Sequence, residues 1–292
     1  MHLSYLFALG SNLTFSFSTI IYTSFSKSVS VLWMNSFKTS VALVCAFAWL
    51  TVSGGWAPVP TQSIAAFMLS GLIALNVGDL FLLAAFTRLG PGRTMMLWGF
   101  EPLFLGWAGS LLFGQPFLLE RLFALVFFFG CLFIISHEKF KQAGHWEVRG
   151  LLYALIGMSL DATGIVLSRY GYDHMSGDVM NGHFYRCLGS VLGFVAISFF
   201  RPINLKANLM KLTFKQRGFA TFGAFLGTFV ALWFYLSAIR IGHLQTIAAI
   251  SITSPVFSTI FESIYLNQKP TPKLLLAFVF FLIGFMILLA TG

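Results

Sequence analysis

The chain is poor in charge. Only 9% of its 292 residues are Asp, Glu, Lys or Arg, whereas 58% are apolar. An ordinary soluble domain carries about 25% charged residues, and a soluble chain of this length could not make a polar skin from so few. Acids are scarcer than bases, 9 against 18, for a formal charge of +9. That excess does not mark a nucleic-acid partner, because the bases sit in short gaps between apolar runs rather than in one patch or stripe. Cysteine is limited to Cys45, Cys131 and Cys187, all inside apolar runs. An odd, dispersed set gives no disulfide framework, so these read as buried, inert thiols. A basic leader and a small-residue cleavage site are both missing at the start, so the first apolar run reads as a retained helix. Also missing are an HExxH pair, acids clustered at metal-ligand spacing and a Gly-rich phosphate loop after a strand. No catalytic residue, metal or cofactor is expected, and no ATP-hydrolysing domain.

Apolar sequence is what the chain has in abundance, with 35 Phe alone. A bilayer core of about 30 Å takes about 20 helical residues to cross, and ten runs qualify, near 3–24, 29–51, 63–87, 93–113, 119–137, 149–170, 179–200, 217–239, 244–266 and 272–291. The runs are continuously apolar, so a β-barrel, whose strands alternate, is excluded. The fold class expected is all-α, with ten transmembrane helices. The breaks carry turn chemistry: Gly54-Gly55 with Pro58 and Pro60, Gly90-Pro91-Gly92, Gly114-Gln115-Pro116 and Lys269-Pro270-Thr271-Pro272. The longest polar gap in the first half, His137 to His145, suggests two units, 1–140 and 141–292.

These halves repeat. Leu125–Gly130 resembles Phe278–Gly284 with one residue inserted, and Thr87-Arg88-Leu89-Gly90 matches Ile239-Arg240-Ile241-Gly242. Pro102 lines up with Pro255, and Phe37-Lys38 with Tyr185-Arg186. Five crossings per half is an odd number, so the second half enters from the opposite side. Inverted repeats of this kind place a substrate site near the midplane, between the halves. Lys and Arg favour cytoplasmic loops. Thirteen of them fall in loops 1–2, 3–4, 5–6, 7–8 and 9–10, against Arg121, Arg169 and Arg240 on the other face, which puts both termini on the same side, outside.

Six ionisable residues fall within the runs: Lys38, Asp79, Glu101, Asp161, Arg186 and Glu262. Each costs at least about 2.5–3.5 kcal/mol at a helix centre unless it faces a cavity, a partner or water. Lys38 and Arg186 either hold an anionic substrate group or pair with a nearby acid. Asp79, with Asn76 three residues earlier on the same face, and Asp161 in mid-helix are candidates for proton or cation coupling; a salt bridge to Lys38 or Arg186 is the alternative. Glu101 precedes Pro102 and could mark a hinge, and Glu262 reads as an interfacial charge. Asn12, Ser16, Thr19 and Thr23 share one face of helix 1 and either line a cavity or bond neighbouring helices. Trp98 and Trp233 could stack on a substrate or simply pack, whereas Trp33, Trp49 and Trp56 read as interfacial belt residues.

In order and in duplicate, these motifs resemble the drug/metabolite transporter superfamily, in particular its ten-helix EamA-like members. The resemblance rests on Gly10-Ser11-Asn12, on Lys38 and Arg186, on Ala85–Gly90 and Trp233–Gly242, and on Glu101-Pro102-Leu103-Phe104 and Pro255-Val256-Phe257. Lys38 stands where the family usually has Arg. The usual Gly-Glu-Arg turns are replaced by Gly114-Gln115-Pro116 and Asn267-Gln268-Lys269. The resemblance implies a secondary transporter, an exporter or exchanger of small metabolites, amino acids or organic cations, working by alternating access with proton coupling. It also implies cytoplasmic termini, against the charge count. Expected surroundings are a bacterial inner membrane, with lipid and a small solute as partners, no nucleic acid, and a monomer or homodimer. The rival readings are an intramembrane enzyme, which would show a reactive cluster at one interface, and a lipid-handling protein, which would tolerate loss of Asp79 and Asp161.

Overall fold

A computed structural model describes residues 2–23, 29–89, 94, 97–116, 120–140, 148–265 and 272–290. Among them the regular elements are all helical: α1 (His2–Thr23), α2 (Val31–Ser53), α3 (Thr61–Ser70), α4 (Asp79–Leu89), α5 (Glu101–Phe113), α6 (Glu120–Phe140), α7 (Val148–Asp173), α8 (Val179–Phe200), α9 (Leu205–Lys211), α10 (Phe214–Ala224), α11 (Ala231–Ile241), α12 (Leu244–Ser251), α13 (Ser254–Tyr265) and α14 (Pro272–Ala290). The turn Gly90-Pro91-Gly92, most of the 137–145 gap, the Lys269–Thr271 stretch and the side chains of Thr19, Thr23 and Glu262 lie outside the described residues.

Two rods are built from parts. Gly71–Gly78 joins α3 to α4, and Phe225–Val230 joins α10 to α11, both wound more widely than an α-helix. Such turns bond five residues apart and leave the axis continuous. Among the described residues the resulting rods, with Val31–Ser53, Val148–Asp173 and Val179–Phe200, make five helices long and apolar enough to cross a bilayer. Shorter apolar stretches occupy Leu122–Cys131, Leu244–Ser258 and Leu275–Ile287. The surface is that of a chain dissolved in lipid: Phe123, Val126 and Phe133 stand outward on α6 and Val44 and Phe47 on α2. Chain reversals use left-handed glycine where the sequence suggests it, at Gly54 and Gly114.

Two further helices break at matching places. The sequence sets Pro102 inside an unbroken helix 4. Instead, a turn at Gly99–Phe100 precedes α5 and leaves Pro102 in its first turn, where a missing N–H loses no intrahelical bond. Pro255 is likewise the second residue of α13, after the turn at Ile252–Thr253. Packing repeats as well. α6 lies along α14, and a methyl placed on Gly130 would come within 2.6 Å of the Phe280 ring, while one on Gly284 would come within 2.7 Å of the Phe128 ring. Each helix thus offers a glycine to the other's phenyl.

The polar gap between helices 7 and 8 is ordered by α9 and by a capping box in which Thr213 and Gln216 satisfy each other's backbone N–H. α9 covers the end of α2. Trp33, read from sequence as a belt residue, is therefore fully buried and donates its indole N–H to the Leu205 carbonyl at 3.0 Å. Trp49 and Trp56 do stand at the surface. Cys131 and Cys187 are buried, Cys45 partly so, and all three are free thiols.

Candidate functional site

The charged residues of the spans come together where α2, α4, α5, α7, α8 and α11 meet. Lys38 of α2 donates to Asp79 Oδ2 at 2.8 Å, each side chain about one-fifth exposed (22% and 20%). Asp79 opens α4 directly after the wide turn. Asn76, inside that turn, does not follow it: its amide donates to the Ser190 carbonyl of α8 at 3.1 Å. A wide turn advances each residue through a smaller angle than an α-helix does, so three residues no longer return to one face. The expected shared face of Asn76 and Asp79 is therefore split between two neighbours.

Glu101, at the first position of α5, is 3% exposed. Its carboxyl lies beside that of Asp161 from the middle of α7. The two carboxyls thus face each other between two helices, and Glu101 Oε1 has no hydrogen-bond partner among the described residues. Trp98 flanks it: a methyl on Gly157, one turn before Asp161, would meet its ring at 3.4 Å.

Arg186 of α8 is 1% exposed, and its Nε and Nη1 have no hydrogen-bond partner among the described residues. Asp161, Tyr172 and Tyr235 lie within reach of its charge, and His183 is buried one turn away. Its backbone is pressed against the other half, since a methyl on Gly71 would lie 1.8 Å from the Arg186 carbonyl oxygen.

The remaining expected residues are used in packing. Asn12 donates to the Ile250 carbonyl at 2.7 Å and to Thr253 Oγ1 at 3.1 Å, and accepts from Ser254 at 2.8 Å. Ser16 donates to the Ser254 carbonyl at 2.9 Å. The polar stripe of helix 1 thus serves the backbone exposed where α12 gives way to α13. Trp233 packs edge-on against Phe7, ring centres 6.1 Å apart.

Two participants carry no sequence signal. Tyr235 lies close to Glu101, Asp161, Arg186 and Ser251, but a tyrosine in an apolar run looks like packing. Arg169 looks like a loop charge, yet its Nη1 donates to the carbonyls of Ile239, Arg240 and Gly242 at 2.6, 2.8 and 3.2 Å. With Arg240 donating to the Gly177 carbonyl at 2.7 Å and His243 bonded to the Pro116 carbonyl at 2.8 Å, that end of the bundle is latched shut.

An all-helical bundle with apolar side chains on its surface and ionisable groups gathered inside it is that of a multi-pass membrane protein. The model of the EamA-like transporter family matches residues 2–137 and again 148–290; the chain belongs to that family and has its two-repeat architecture. It is 22% identical over 287 residues to an uncharacterized transporter of Archaeoglobus fulgidus, covering 98% of both chains. A solved crystal structure superposes on 97% of this chain and 95% of its own with a TM-score of 0.81 at 13% identity, a likeness of fold alone.

Proposed function

We propose that the protein is a secondary carrier whose ten spans form two oppositely inserted five-span units, 1–140 and 141–292, in a bacterial inner membrane, exporting or exchanging a small metabolite, amino acid or organic cation by alternating access. The observation that carries this reading is the enclosed cluster in which the carboxyls of Glu101 and Asp161 lie together, beside Lys38–Asp79 and Arg186. Buried carboxyls are expensive in a bilayer unless they work, and a pair that can hold or release one proton suits a carrier that moves a proton with or against its cargo. The paired breaks before Pro102 and Pro255 and the paired wide turns give the two units joints at equivalent depths, which supports rocking of one against the other. The latch of Arg169, Arg240 and His243 closes one end and supports a state open towards the other.

The test is flux. Purified protein in proteoliposomes is presented with amino acids, nucleotides and organic cations, with and without an imposed proton gradient. Flux of some solute that follows the gradient is expected, and Asp161→Asn should make the residual flux indifferent to it. Wild-type flux that ignores the gradient removes the coupling, and no flux across the panel removes the carrier.

A further inference from the structure

Among the described residues Arg186 is a buried base with two nitrogens, Nε and Nη1, left without a hydrogen-bond partner. The repeat explains why. The step along the chain that takes Arg88 to Arg240 takes Asp79 to Ala231, and each of these last two is the first residue after its wide turn. Lys38 has its carboxylate on the neighbouring rod at 2.8 Å. At the position of the second repeat that corresponds to Asp79 the chain has Ala231, which is 1% exposed and neutral.

A guanidinium offers a planar edge on each side, and each edge fits the two oxygens of one carboxylate. Nε and Nη1 belong to different edges, so with both unused neither edge is completed by the protein. A buried charge left in this condition is strongly unfavourable unless something completes it.

We infer that Arg186 is the docking point for a carboxylate of the transported solute, which takes the place that Asp79 fills in the first repeat. A carboxylate fits better than a phosphate, because one guanidinium balances one negative charge and Asp161, already within reach, would repel a second. The excess of acids over bases in the spans favours a cation, so the cargo that suits both features carries a cationic group beside its carboxylate. The unsatisfied Glu101 Oε1 is an acceptor for a donor on the same cargo. Since the guanidinium is enclosed here, cargo reaches it in a more open state. Movement of the cargo rests on the carrier reading above, whereas binding at Arg186 does not.

The test uses the full chain in nanodiscs, with thermal stabilisation and calorimetry as readouts. The probes are the proteinogenic amino acids, each paired with its carboxamide, together with acetate and inorganic phosphate. At least one amino acid should bind roughly 10- to 100-fold tighter than its carboxamide, the scale of a lost charge-assisted contact. Ala231→Asp supplies the missing internal acid. It should melt no lower than wild type and lose that preference, and its retained fold keeps the loss interpretable. Equal binding of acid and carboxamide, phosphate binding in preference to every carboxylate, or an undiminished preference in folded Ala231→Asp would each overturn the assignment. Carboxylate binding without flux would uphold the site and sink the carrier. Flux of cations or neutral solutes with no carboxylate preference would do the reverse.

Discussion

Lys38 and Arg186 occupy matching positions on the second rod of each repeat, yet one is answered and the other is not. Lys38 meets Asp79 at 2.8 Å with a fifth of each side chain still exposed. Arg186 is 1% exposed, and the second repeat has Ala231 instead of an acid at the position that corresponds to Asp79. The first half thus treats its charge as internal structure, and the second leaves its charge open. Duplicated halves start equal, and a binding site needs them unequal: a cargo with two different ends cannot be met by two identical faces. The difference here is one carboxylate.

The comparison predicts opposite consequences for the two bases. Lys38→Ala leaves Asp79 without its partner. Stranding one member of a buried pair costs about 3–5 kcal/mol, and partial exposure sets this case near the lower end. A clear drop in melting temperature in detergent is expected, largely recovered in the Lys38→Met, Asp79→Leu double variant. A Lys38→Ala protein that melts like wild type would mean that the pair contributes nothing, and the contrast would collapse.

Arg186→Met comes next in size and has the other sign. Removing a buried guanidinium with unpartnered donors while keeping side-chain length should leave stability unchanged or raise it by about 1–4 kcal/mol, as apolar replacement of buried charges does elsewhere, while flux is lost. Raised melting temperature together with lost flux would mark Arg186 as a group kept for work. A fall in stability comparable to that of Lys38→Ala would show that Arg186 has a structural partner after all.

Much of this was legible from spacing alone. The apolar runs, the Gly and Pro breaks and the Lys38/Arg186 match depend on local order, and the helices follow them. Asp79 could be seen to need a partner, with Lys38 among the choices. What was not legible depends on the phase and tilt of rods against one another. The wide turn at Gly71–Gly78 has no composition of its own, and it sends Asn76 and Asp79 to different neighbours. The Glu101–Asp161 contact joins residues of different repeats, so no periodicity announces it. Asn12 leaves cavity lining and a bond to a neighbouring helix equally open until the break between α12 and α13 is known, because only that break exposes the carbonyl it serves. Arg169 bonds the end of α11 some seventy residues later in the chain, a link that only the packed bundle creates.

Lys38→Arg is the gentlest way to sharpen the comparison, because it makes the two bases chemically alike and leaves only their neighbours different. Asp79 is met through one oxygen, as suits an ammonium, which is a point charge with freely turning donors. An arginine there would bring a flat fork able to engage both carboxylate oxygens, at the expense of more bulk beside the wide turn. Better pairing and tighter packing oppose each other, so the stability change should stay within about 1 kcal/mol, the range of a charge pair kept with altered geometry. The carboxylate preference should be untouched if it belongs to Arg186. If Lys38→Arg instead weakens or redirects that preference while the melting temperature holds, then the base identity in the first repeat is also read by the cargo, and the division of labour between the two repeats fails.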